Sequence, residues 1–265
     1  MAAILRKLFR RKNQPPLVCA VSLDDHGHPI GDDPAHKHTT SCFVDFEPLA
    51  LVELFQSQGC QSCPAAVPGI LTAAQGPNLL LLTFSVSLFD HTGWKDTFSS
   101  STADQRHRAY AMRWQRKTLF TPQIVVDGVA DGSGAGGAGD VAEVVRLARA
   151  AAAARPWHIY LDANDAEVRI DSDVGVEMMV ARHDIIVIVY RAGDEKVKIG
   201  KGPNKGKKLD HRNRVTNVMK IGEWMGGDLT VALPASRDSM KHGENAVVVV
   251  QEGGAGGAIV AVAKV

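Results

Sequence analysis

The stretch LALVELFQSQGCQSCPAAVPGILTAAQ, residues 49–75, limits the fold more than any other part of the chain. An apolar run ends in a short polar link, two cysteines follow three apart, and a proline comes directly after the second. LALVELF suits a strand. The segment from the cysteines onward suits a helix, with Pro64 tolerated in the first turn, where its missing N–H removes no intrahelical bond. Pro68 lies deeper and predicts a kink. The helix is expected to open near Cys60, where free N–H groups favour negative charge. A thiolate there is the nucleophilic form of cysteine. Cys63, one turn on, shares its side and is near enough to close a ring with it. The pair reads as an attacking and a resolving thiol, as two soft metal ligands, or as two buried thiols.

The surrounding pattern predicts an α/β unit. NLLLLTFSV (78–86) is a continuous apolar run suited to a parallel pairing with the first strand. SSSTADQRHRAYAMRWQRK predicts a helix capped by a serine, QIVVDG (123–128) a short strand, and DVAEVVRLARAAAAARP a helix stopped at Pro156. Strand and helix alternate three times, as α/β folds do. The glycine-rich DGSGAGGAGD lacks the strand–GxGxxG–helix order of a nucleotide site. After Pro156 short apolar segments recur between turns: WHIYL, EVRI, VGVEMMV, IIVIVY, LTVAL, AVVVVQ and AIVAVAKV. They predict a β-sandwich-like all-β domain, with one short helix inside HRNRVTNVMKIGEW. The predicted division is an irregular arm over 1–48, an α/β domain over 49–155 and a β-rich domain over 156–265.

Bulk properties remove some classes. A net charge of +1 over 265 residues predicts no nucleic-acid or anionic-membrane partner for the chain as a whole. Four cysteines are too few for a disulfide scaffold of this length. No run is long and apolar enough to predict a membrane span. The opening MAAILRKLFRRKNQPP is basic and lacks a secretory apolar core, so the expected location is cytoplasmic, with a mitochondrial presequence as the alternative. HKHTTSC places His36, His38 and Cys42 at spacings that zinc or copper accept, but without an evident fourth ligand it reads as a solvated arm. No metal site and no organic cofactor is expected.

A second motif sharpens the first. In FTPQIVVDG, Thr121-Pro122 directly precedes a strand, and a proline so placed in a thioredoxin-like domain is usually cis, with the backbone before it facing the cysteines. The segments LVELFQSQGCQSCPAAVPGIL, FDHTGWKDTFSS, DQRHRAYAMRW, FTPQIVVDGVADG and KGPNKGKKLDHRNRVTNVMKIGEW together resemble a family catalogued as domain of unknown function 1223. The resemblance runs from about Leu49 to Val265 and implies a thioredoxin-like domain followed by a β-rich one. It also implies that Cys60, Cys63 and Pro122 hold the thioredoxin-type active position. Gln61-Ser62 stands where thioredoxin itself has Gly-Pro, so the motif does not set the direction of electron flow.

Three further groups are candidates. Strand alternation puts Leu51, Glu53 and Phe55 on one face. Glu53, if buried, would titrate high enough to pass protons to Cys63, or else would pair with a basic neighbour. DHTGWKD follows the second strand, so His91, Trp94, Lys95 and Asp96 are expected either to line the thiol pocket or to pack locally, with Lys95 and Asp96 paired. The stretch 191–214 carries nine basic and three acidic residues; it could meet an anion or nucleic acid, but without interleaved aromatics it reads as a solvated loop with a Gly/Asn turn, and the family resemblance implies docking on the thioredoxin-like domain.

The expected function is thiol–disulfide exchange: Cys60 attacks, Cys63 resolves, and the backbone around Thr121 and Pro122 holds the substrate. The partners would be a protein or small-molecule disulfide or thiol, plus a reductase or oxidant for turnover. The alternatives are a metal carrier using the two thiolates and a non-catalytic thioredoxin-like binding module.

Overall fold

A computed structural model describes residues 48–76, 78–176, 181–234 and 240–265. The expected N-terminal arm, with its histidines, Cys19 and Cys42, lies outside them. Residues 48–265 form one compact unit, a mixed α/β fold with a large mixed sheet and a small second one.

The first half follows the alternation read from the sequence: β1 (Ala50–Gln56), α1 (Cys63–Ala73), β2 (Leu79–Ser85), α2 (Ser101–Arg113), β3 (Gln123–Val126), β4 (Ala130–Gly132) and α3 (Ala138–Ala153). β1 and β2 are parallel, while β3 runs antiparallel to β1 and β4 antiparallel to β3. Ser100 caps α2 by accepting from the Ala103 N–H at 3.1 Å.

The second half contains β5 (Ile159–Ala163), β6 (Glu167–Ser172), β7 (His183–Lys198), β8 (Lys208–Trp224), β9 (Leu229–Ala232), β10 (Glu244–Glu252) and β11 (Ile259–Lys264). β7, β8, β10 and β11 do not form a sheet of their own. They continue the first sheet, giving eight strands in the order β11-β10-β7-β8-β2-β1-β3-β4. The seam lies between β2 and β8, where Thr83 pairs with Arg214. Side chains complete it: Thr83 Oγ1 donates to the Arg212 carbonyl at 2.7 Å, Asn213 Nδ2 to Leu81 O at 3.0 Å, and Gln56 Nε2 to Asp210 O at 2.9 Å. Among the described residues, only the three-stranded sheet β5-β6-β9 is separate.

Two local readings are corrected. The segment expected to hold a short helix, 211–224, is strand throughout, because β8 pairs with β7 along nearly its whole length and that ladder outweighs local preference. Val174–Val176, expected to open a strand, are not strand, and the rest of that segment lies outside the described residues.

Period-two alternation sorts the core into three parts. Val52 and Leu54 of β1 face α1 and α3, in a cluster that includes both cysteines and Ile199 and Leu209 from the ends of β7 and β8. Leu51 and Phe55 face the other way, toward Tyr110 of α2 and toward Ile186, Ile188, Val247 and Val249 of β7 and β10. The alternate residues of those strands, Ile185, Val187, Val248 and Val250, pack with Trp224 against Leu161, Val168 and Ile170 of the small sheet. Each such fully buried aliphatic side chain is worth roughly 1.5–3 kcal/mol of transfer free energy, so the sheet anchors both halves of the chain.

Candidate functional site

The site is built on the link between β1 and α1. After Gln56 the chain turns, with Cys60 N–H donating to Ser57 O at 3.1 Å. α1 begins at Cys63, with Ser62 at its N-cap and Pro64 in its first turn. The helix therefore opens three residues later than expected, and Cys60 sits just ahead of it. Cys60 is 2% exposed and Cys63 fully covered, and both are free thiols. The Thr121–Pro122 peptide is cis. Thr121 O accepts from Cys60 Sγ at 3.3 Å and from Ser62 Oγ at 3.2 Å, while Cys60 Sγ and Ser62 Oγ lie 3.2 Å apart. Cys60, Cys63, Thr121 and Pro122 are thus one cluster, drawn from segments about sixty residues apart.

The two thiols are chemically unequal. Cys60 is pulled down to about 5, first by a hydrogen bond from the Cys63 thiol and then by the Ser62 side chain, against a burial that pushes it up. Cys63 is pushed well above its ordinary value, first by burial and then by the charge it faces on Cys60. Near neutral pH Cys60 is an anion that no longer donates to the Thr121 carbonyl, and Cys63 keeps its proton.

Other parts of the fold hold this link in place. Gln58 is fully buried; its N–H donates to Asp96 Oδ2 at 2.7 Å, and its Oε1 accepts from Trp94 Nε1 at 2.8 Å. Asp96 also accepts from the Phe98 N–H at 2.9 Å, and burial raises it to about 6. It is therefore tied to backbone and not to Lys95. The tip of the β7–β8 hairpin, a single 3-10 turn at Gly202–Asn204, closes over the link. Asn204, fully buried, donates through Nδ2 to Gln58 O at 3.0 Å and to Cys60 O at 2.5 Å. Glycines permit the approach: a methyl group on Gly200 would stand 2.8 Å from Trp94 Cζ3, and one on Gly59 would stand 2.6 Å from Phe89 O.

The remaining expected residues divide. Trp94 packs into the cysteine-side core. His91 is exposed, with its ring 6.2 Å from that of Phe89, and Lys95 is exposed beside Trp94. Glu53 is fully buried but lies on the opposite face of β1 from the thiols. It forms an ion pair with Arg106 and accepts from the Tyr110 hydroxyl, while Arg106 Nη1 reaches Gln251 Oε1 at 3.0 Å. It cannot relay protons to Cys63 from there. Of the two readings of Glu53, the geometry bears out the pairing with a basic neighbour. Sequence reasoning missed Asn204, Gln58 and Ser62. The motif contained Gln58 and Ser62, but only the folded turn gives them partners, and Asn204 looked like an ordinary turn residue. Among the described residues, no group of three or more His, Cys, Asp or Glu side chains stands together to hold a metal ion.

Fold and site define a mixed α/β protein with a covered two-cysteine centre at the end of a central strand. The chain belongs to the DUF1223 family, described as protein of unknown function, whose model matches residues 51–251. A structural-genomics crystal structure from Agrobacterium tumefaciens is similar, with 28% identity and a TM-score of 0.64 over 83% of this chain and 95% of that one. HBP35 of Porphyromonas gingivalis shares the fold at 10% identity and a TM-score of 0.51, over 83% of this chain and 75% of that one. A search of curated proteins found no match. Among the described residues no helix is long and apolar enough to cross a membrane.

Proposed function

We propose that this chain is a thiol–disulfide oxidoreductase built on a thioredoxin-like domain. The observation that carries the reading is the split within one cysteine pair: Cys60 sits at about 5 beside the Thr121 carbonyl, while Cys63, its hydrogen-bond partner, stays protonated. The order β1–α1–β2–α2–β3–β4–α3, with the cysteines after β1 and Pro122 directly before β3, supports it.

In the forward direction the Cys60 thiolate attacks one sulfur of a substrate disulfide. A Cys60–substrate bond forms, the substrate S–S bond breaks, and the departing sulfur leaves as a thiolate that takes up a proton. Cys63 then loses its proton and attacks Cys60 Sγ, closing the Cys60–Cys63 disulfide and releasing the second substrate thiol. Two electrons pass from the protein to the substrate, with one proton from Cys63 and one from solvent. A reductase restores the dithiol; in the opposite direction an oxidant restores the disulfide. No metal or organic cofactor takes part in either step. Backbone around Thr121 and Pro122, with Trp94 nearby, would border the substrate.

Intact-protein mass spectrometry tests the reading: oxidation by a mild disulfide should remove two hydrogen atoms per chain, and peptide mapping should assign the change to Cys60 and Cys63. A Cys63→Ser variant should retain disulfide-linked partners through Cys60. An oxidised protein whose mass change maps elsewhere, or a Cys60 that forms no mixed disulfide, overturns it.

A further inference from the structure

The hairpin tip that closes over the cysteine link is also the most basic part of the structure near it. Between residues 197 and 209 the chain carries Lys198, Lys201, Lys205, Lys207 and Lys208 and no acid. All five are exposed. The neighbouring acids are already neutralised: Asp194 by Arg212, Glu195 by Arg214 and Arg191, and Asp210 by Lys196. None of the five lysines has an acidic partner among the described residues. The facing loop adds exposed Lys95, while its own carboxylates turn inward, Asp90 to the Asp96 N–H at 2.9 Å and Asp96 to Gln58 and Phe98. The charge is tied to the backbone of the cysteine link. Lys205 follows Asn204 directly in the chain, Lys207 Nζ donates to Asn204 Oδ1 at 3.2 Å, and Asn204 itself donates to the Cys60 carbonyl. Gln61 and Ser62, next to Cys60 in the chain, are exposed and carry no charge.

Resting on the exchange activity proposed above, we infer that the substrate disulfide is anionic, with carboxylates close to its sulfur atoms that meet this lysine rim as Cys60 attacks. Concentrating such a substrate at a basic rim raises its encounter rate without changing the exchange chemistry, and added salt weakens the effect. Small anionic disulfides and acidic peptide disulfides offer the same chemistry.

The test measures exchange rates of the reduced full-length protein with matched disulfides: glutathione disulfide against cystamine, and a cyclic peptide disulfide flanked by Glu against the same peptide flanked by Lys. At low salt the anionic member of a pair should react faster by about tenfold or more. The preference should collapse near 1 M salt, where the screening length is about 3 Å. It should also collapse in a Lys201→Glu/Lys205→Glu/Lys208→Glu variant and shrink in the matching Gln variant, which guards against misfolding of the first. Lys207 stays unchanged because it holds Asn204. Which pair shows the larger preference identifies the source as small molecule or peptide. Exchange through Cys60 with equal rates for both charges, or a preference that survives in both lysine variants, overturns this inference and leaves the exchange activity standing. Failure of all four disulfides to react at Cys60 overturns the activity, and this inference with it.

Discussion

Cys60 and Cys63 share one side chain type and nearly one address, yet their surroundings separate them. Cys60 collects hydrogen bonds that favour its anion, and Cys63 meets burial and that anion's charge. The rate of Cys60 alkylation should therefore follow a titration with its midpoint near 5, with Cys63 unreactive at pH 7; peptide mapping after timed labelling checks both. Ser62→Ala should move that midpoint upward, since it removes one of the groups that hold it down. The same shift links to stability. The folded value lies below the ordinary value of 9.0, so the thiolate contribution is fully present above that value and is lost as pH falls through about 5. The stability gap between the reduced protein and Cys60→Ser, read from urea melts, should widen from pH 5 to pH 8. Glu53 teaches the opposite lesson. Alternation correctly put residues 51, 53 and 55 together, but nothing local tells which face of a doubly covered strand the cysteine turn will join. Its partners Arg106 and Tyr110 lie 53 and 57 residues away in sequence, although those two, one turn apart on α2, were a visible pair. Glu53→Gln leaves the buried Arg106 cation without its counter-charge. It should cost about 3–5 kcal/mol in urea-induced unfolding while the folded protein exchanges thiols at the wild-type rate.

At the scale of elements, the long β7–β8 hairpin matters most and was read least well. Its outer half, rich in charge and glycine, looked like a solvated loop because strands that leave a core lose the apolar alternation that marks them. The family resemblance implied that its tip docks, but the residues alone did not show its attachment, which depends on one amide meeting two backbone carbonyls more than 140 residues away in sequence. Asn204→Ala strands buried carbonyls and should destabilise the protein by about 1–3 kcal/mol, measured by chemical denaturation, with faster amide hydrogen exchange across residues 57–61. α1, α2 and α3 were legible because each carries ordinary stop and cap signals, such as Pro64 at a start and Ser100 at a cap.

For the molecule as a whole, the sequence suggested a change of texture at Pro156, and the texture does change there, from alternating elements to strands. What texture does not reveal is that strands from both sides pair at Thr83 and Arg214 and share the core around Leu51, Phe55, Ile188 and Val249. A chain ending at residue 155 would expose the β2 edge and one side of that core. Its far-ultraviolet circular dichroism should show a poorly folded, aggregation-prone product, whereas residues 48–265 should remain monodisperse.

β7 runs from the small sheet to the cysteines and β8 runs back again, 16 and 17 residues in length. They join the distant core at one end to the Cys60 link at the other. Loosening of Trp224, deep in that core, would be transmitted to the sulfur, so heat or denaturant should melt both ends in a single cooperative step, with no surviving half that still carries a working thiol.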